Sequence, residues 1–225
     1  MTVSALPFDG GGYERQLQQL GIPYEALLEV IGASNTERRL CALTSARTAF
    51  GYYAYNGAVI GLTGQLKDHG FRRINVNGVL PLWVNRERGV KLGVTSGNSM
   101  TGIRGTGIQP RSRYPKGELT QQMVQRNQPA GWMRLFDVSQ EAESSDDESI
   151  ADLDLWLLLM FIDKAKCEIR YEVSRPIGTN ARGYITQWSP RVTPPPYAVE
   201  EFTEFPDDDD PNEGFGEIDV PVEPK

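Results

Sequence analysis

Two strand-length segments joined by Asn77-Gly78 set the strongest limit on how this chain folds. Residues 71–76 and 79–84 are rich in β-branched and aromatic side chains. An Asn-Gly dipeptide between such runs favours left-handed backbone at the turn and closes an antiparallel hairpin. Residues 86–89 then turn the chain into a further strand over 90–95. Upstream, residues 48–55 and 58–62 flank Asn56-Gly57, the same signal again. Together these segments predict an antiparallel meander of about four or five strands.

The segments around the meander read differently. Residues 13–20 and 23–31 predict two short helices, the second with Ala26, Leu27, Val30 and Ile31 on one face. Pro23 suits a first turn, and Gly21 and Gly32 suit the two stops. A third helical turn is predicted from Asn35 or Thr36, carrying Leu40. Residues 118–126 predict a short amphipathic helix, and 132–138 a strand. Residues 155–162 are apolar throughout. After a turn at 163–166, Cys167, Ile169, Tyr171 and Val173 alternate with Glu168, Arg170 and Glu172. That pattern predicts a C-terminal β-hairpin of one buried and one half-exposed strand, with a further strand over 184–188. The four tryptophans, Trp83, Trp132, Trp156 and Trp188, read as core or interface anchors. The expected fold class is therefore α+β: short N-terminal helices, a meander, a short helix and a β-hairpin, in a single domain over 13–199. A flexible N-terminus over 1–12, an acidic linker near 139–149 and a disordered acidic tail over 200–225 complete the expectation.

Charge is sorted along the 225 residues. Residues 1–136 carry 16 Lys/Arg against 8 Asp/Glu, and residues 200–225 carry 1 against 11. The formal net charge of −7 therefore hides a basic body with an acidic tail. A basic surface attracts polyanions, and a tethered acidic segment competes for it. The basic stretch holds Arg86, Arg88, Lys91, Arg104, Arg111, Arg113, Lys116 and Arg126, against Glu87 and Glu118. Much of it lies in a long Gly- and Arg-rich loop over 96–117, where Tyr114 sits between Arg113 and Lys116. Glycine lets backbone approach a phosphate, arginine offers paired donors, and tyrosine stacks on a base. These nine residues are the candidate nucleic-acid contacts, although loops of this composition are also common without ligands.

Other chemistry is thinly supported. One histidine, His69, excludes His-rich metal sites, and Cys41 and Cys167 are expected to be reduced thiols. Gly97 and Gly102 have the phosphate-loop spacing, but Ile103-Arg104 follows where that loop needs Lys-Ser or Lys-Thr. Gly105-Thr106-Gly107 lacks the third glycine of a dinucleotide site. No cofactor is expected. Residues 94–100, Val-Thr-Ser-Gly-Asn-Ser-Met, resemble the Ser-Met nucleophile segment of Ser-Lys peptidases of the LexA and signal-peptidase kind. The resemblance implies a serine served by a neutral lysine on an apolar strand a few tens of residues later. The next lysine here, Lys116, stands instead in a polar Pro-Lys-Gly turn. Asp152, Asp154, Asp163 and Glu168 would suit a metal-dependent nuclease if they converged.

The N-terminus lacks a charged segment followed by an apolar one, and the longest apolar run is eight residues where a membrane span needs about 20. The expected setting is cytoplasmic, with no membrane. The expected function is that of a non-enzymatic nucleic-acid-associated accessory protein, with DNA or RNA as partner and the tail as regulator. A protein partner, held through Phe202, Phe205, Phe215 and Ile218 among the tail acids, makes a structural or adaptor subunit the alternative.

Overall fold

The computed structural model describes residues 12–42, 44–46, 48–105, 107–128 and 150–200. The expected strand over 132–138, the linker near 139–149 and the N-terminal and C-terminal segments lie outside these residues, apart from Gly12 and Glu200. The fold is α+β, as the sequence predicts. Helices α1 (Gly12–Gln19), α2 (Tyr24–Arg39) and α3 (Ala49–Leu66) come first, closed by a 3₁₀ turn at Lys67–His69. Strands β1 (Arg72–Val76), β2 (Leu80–Asn85) and β3 (Val90–Ser96) follow, then α4 (Glu118–Arg126). Strands β4 (Asp154–Asp163), β5 (Glu168–Thr179), β6 (Ile185–Val192) and β7 (Tyr197–Ala198) complete the described fold.

All seven strands join one sheet in the order β1-β2-β3-β4-β5-β6, with β7 also on β5. Every pairing is antiparallel except β3 with β4, which is parallel. A parallel pair needs a long crossover, and the chain between β3 and β4 supplies it with α4 on one face. The opposite face carries α1, α2 and α3. There Leu17, Ile22, Leu27, Ile31 and Leu62 pack with Trp83, Leu92, Trp156, Leu158 and Tyr171. Under α4, Met123 and Val124 pack with Leu82, Leu155, Leu157, Leu159 and Trp188. β4 therefore turns alternate residues into two different cores, which explains its unbroken apolar run.

The expected hairpin at Asn77-Gly78 forms, with φ of 48° and 71° at the two residues. Gly21, at φ 77°, ends α1, and the helix over 118–126 forms in full. The β4–β5 hairpin and the strand after it also form.

Two expectations are overturned. Residues 48–55 and 58–62 are not strands. Thr48 is the N-cap of the 18-residue helix α3, and 49–55 and 58–62 lie within it, with Asn56-Gly57 near its middle. The reason is the approach of α2. A Cβ on Gly57 would stand 2.6 Å from the Ala33 carbonyl oxygen, and one on Gly61 would stand 3.0 Å from Val30 Cα. These glycines let two helix backbones touch, and the meander shrinks to β1–β3. Gly32 likewise does not stop α2, which runs on to Arg39 and absorbs the third helical turn expected at Asn35. A Cβ at Gly32 would sit 3.4 Å from the Tyr197 hydroxyl, so the gap admits that side chain.

Two glycines of α3 give a paired test. Gly57→Ala is expected to destabilise the fold by about 1–3 kcal/mol through overpacking. At Gly64 an added Cβ would meet nothing within 4 Å, so Gly64→Ala should stabilise by about 0.5–1 kcal/mol. Urea unfolding of both variants measures the contrast.

Candidate functional site

The parallel pairing sets Ser96 beside Met160, so β3 and β4 both end at one edge of the sheet. Past that edge their chains part. β3 runs into residues 97–117, which cross the α4 side of the sheet as a strap. β4 runs on to the turn at 163–167. Two adjoining cavities of about 250 and 390 Å³ open where they diverge, and they share Gly51, Tyr55, Ser96 and Arg113. Ser34 and Arg38 of α2 and Phe50, Gly51, Tyr52 and Tyr55 of α3 form the roof of this cleft. Crevices at the carboxyl ends of parallel strands are where open α/β sheets bind ligands.

The strap reaches the cleft because it is tied down along its length. Arg113 N donates to Ser96 O at 2.8 Å, and Asn98 N to Arg111 O at 3.0 Å. The indole Nε1 of Trp188 donates to Pro110 O at 2.7 Å. Arg104 donates twice to Thr193 O. Beneath the strap, the wholly buried Glu172 accepts from Arg191 Nε, Ser174 Oγ and Gly102 N. Arg191 donates onward to Ile108 O and Ile103 O of the strap. The alternation in β5 suggested a half-exposed charged face. The structure buries Arg170 and Glu172 of that face: Gly102 of the strap lies against Arg170 and donates to Glu172, while Arg170 pairs with Asp163 and Glu168.

Four cations line the cleft: Arg38, Arg113, Lys116 and Lys164. Asp163 is the one carboxylate among the described residues around it, and Arg170 Nη2 holds it at 3.2 Å. Arg113 Nε is buried and has no hydrogen-bond partner among the described residues. Lys116 Nζ donates to Thr95 Oγ1 at 2.6 Å. Burial lowers this amine from its ordinary 10.5 to about 8. The lysine thus meets a hydroxyl in a partly dry site, but the hydroxyl belongs to Thr95. Ser99, which the peptidase resemblance implicated, is exposed and does not line the cleft.

Of the nine residues singled out in the sequence, the structure brings Arg113, Tyr114 and Lys116 together here. Arg111 stacks over the Tyr184 ring at 4.7 Å, and Arg104 is committed to Thr193. Arg86 and Arg88 lie in the β2–β3 turn, at the opposite end of β3 and roughly 20 Å away at ~3.3 Å per residue. Arg86 lines a separate cavity there with Arg72 and Glu87. Arg126 is exposed at the end of α4. Lys91 lies in the interior, where Nζ donates to Ile150 O at 2.9 Å. The carboxylates considered for a nuclease do not converge. Asp154 opens β4 and pairs with Arg175, whereas Asp163 closes β4 and shares Arg170 with Glu168. Among the described residues no three His, Cys, Asp or Glu are grouped to hold a metal. No helix among them is long and apolar enough to cross a membrane, and Cys41 and Cys167 are free thiols.

Sequence reasoning missed Arg38, Tyr52, Tyr55, Thr95 and Lys164. The tyrosines were hidden by reading α3 as strands. Its one usable signal was length: residues 49–66 carry no charge and no proline, which suits one buried helix as well as two strands. Compared with known proteins, the chain matches no family model, no curated protein and no solved structure.

Two outcomes follow from this geometry. Glu172→Ala leaves the largely covered Arg191 without its carboxylate and should destabilise by about 3–5 kcal/mol. Hydrogen exchange should quicken first in amides 98–113, ahead of those in β4. Lys91 gives a pH signature, because burial first and Arg126 second lower its amine from 10.5 to about 8. Below about pH 8 both folded and unfolded chains hold the proton, and folding bears the full cost of burying it. Between about 8 and 10.5 the unfolded chain binds more protons, so stability rises with pH. The stability of Lys91→Met relative to wild type should therefore fall across that window in urea titrations.

Proposed function

We propose that this chain is a cytoplasmic, non-enzymatic accessory protein that associates with nucleic acid through the cleft at the carboxyl ends of β3 and β4. One observation carries the reading: Arg113, Lys116 and Lys164 surround a concave site whose one lining carboxylate among the described residues, Asp163, is already paired with Arg170. Such a site attracts an anion, and a guanidinium with an unused buried donor suits a phosphate oxygen. The acidic tail fits the same reading. β7 pairs with Glu168 and Ile169, and Ile169 lines the cleft, so the chain enters its acidic segment from the rim of the site. A tethered anion at that point competes with phosphate at high effective concentration.

Fluorescence anisotropy with labelled DNA and RNA across a salt series tests this. The full chain is compared with one ending at Glu200, which keeps β7 and the buried Val199. Affinity is expected to fall with salt at a slope of about −0.7 to −0.9 per phosphate contact. The shorter chain should bind more tightly. Arg113→Ala with Lys164→Ala should weaken binding and flatten the slope by about two contacts' worth. If neither form binds in a salt-sensitive way, the reading fails. The charge split then serves a protein partner, and a stoichiometric co-purifying protein would make this an adaptor subunit.

A further inference from the structure

The cleft presents ring faces as well as charge. Tyr52 and Tyr114 are 66 % and 51 % exposed, and both line the larger cavity beside Arg113 and Lys116. Each ring is braced. Tyr53 stands edge-on to Tyr52, with centroids 6.1 Å apart at 89°. The Arg113 guanidinium sits 5.8 Å from the centroid of Tyr114. Exposed apolar rings beside desolvated cations ask for a ligand that is flat and anionic at once.

A nucleotide is such a ligand, but only when unpaired. In a duplex the bases are stacked, and a protein meets their edges in the grooves. A base lays its face on an aromatic side chain only when it is free of that stack. The cleft is also concave, with α3 along one side, a shape that suits a flexible strand better than a rigid cylinder. The phosphate has a place as well. Lys116 has the Thr95 hydroxyl for a neighbour, and none of the cavity residues around it is a carboxylate. A phosphate between Lys116 and Arg113 would supply the missing negative charge.

We propose that the cleft selects single-stranded nucleic acid, with a phosphate between Arg113 and Lys116 and an unpaired base on Tyr52 or Tyr114. This rests on the nucleic-acid reading above and names the form of nucleic acid that the site takes.

The test compares the full chain's affinity for a single-stranded oligonucleotide, its duplex, and a strand of the same length with abasic sugars. Wild type, Tyr52→Ala, Tyr114→Ala and the two Tyr→Phe variants are measured at one salt concentration. Stacking on one ring predicts a loss of roughly five- to hundredfold for Tyr→Ala. Tyr→Phe should bind nearly as wild type, since the ring face remains. The abasic strand and the duplex should both bind more weakly than the intact single strand. Both tyrosines are exposed, so unchanged thermal unfolding of the variants checks that the fold persists. Equal binding of duplex and single strand, or indifference to Tyr→Ala, overturns this inference and leaves the nucleic-acid reading standing. Binding would then rest on the phosphate contacts of the cleft's cations, without a stacked base. No binding to any of the three probes removes both.

Discussion

The pairing of buried Glu172 with Arg191 is the interaction on which the cleft depends. A carboxylate with no exposure persists as a charge only when its oxygens are fully hydrogen-bonded. Here the partners come from three places: β6 through Arg191, β5 itself through Ser174, and the strap through Gly102 N. Arg191 then spends its remaining donors on strap carbonyls. A strap with Gly102, Gly105 and Gly107 at positive φ has little intrinsic preference for one path. The ion pair supplies that preference, because any other path strands a buried charge. In this chain the pair ties the strap that carries Arg113, Tyr114 and Lys116 down onto β5 and β6.

The second constraint is the single parallel pairing. If β4 ran against β3, the start of one strand would meet the end of the other, and no shared carboxyl edge would form. With both strands running the same way, the strap and the 163–167 turn leave one edge in different directions. The gap between them is the cleft. Its cations come from α2, the strap and that turn, so they are far apart in sequence and close only in the folded chain.

The helices show the limit of local signals. Two Asn-Gly dipeptides have opposite fates. Asn77-Gly78 takes left-handed backbone and turns β1 into β2. Asn56-Gly57 stays helical because the missing Cβ is what lets α3 lie against Ala33 and Ser34 of α2. The same glycine that permits a turn also permits close helix contact. Turn chemistry cannot separate the two outcomes, since the deciding partner is more than twenty residues away. Tyr52 and Tyr55 followed that misreading, whereas Arg113, Tyr114 and Lys116 were legible as a basic cluster with an interleaved aromatic ring.

By itself the sequence determined the α+β class, the β1–β2 hairpin, α4, the β4–β5 hairpin and the charge split between body and tail. These follow from short-range periodicity, turn residues and composition, all of which act within a few residues along the chain. Only the tertiary structure decided that α3 is one helix, that β3 pairs in parallel with β4, and that Glu172 is buried. It also divided the basic stretch, taking Lys91 into the interior and Arg86 and Arg88 to the far end of β3. The physical reason is common to all four. Each is settled by a partner distant in sequence, through backbone approach, strand pairing or the demand that a buried charge find its counter-charge.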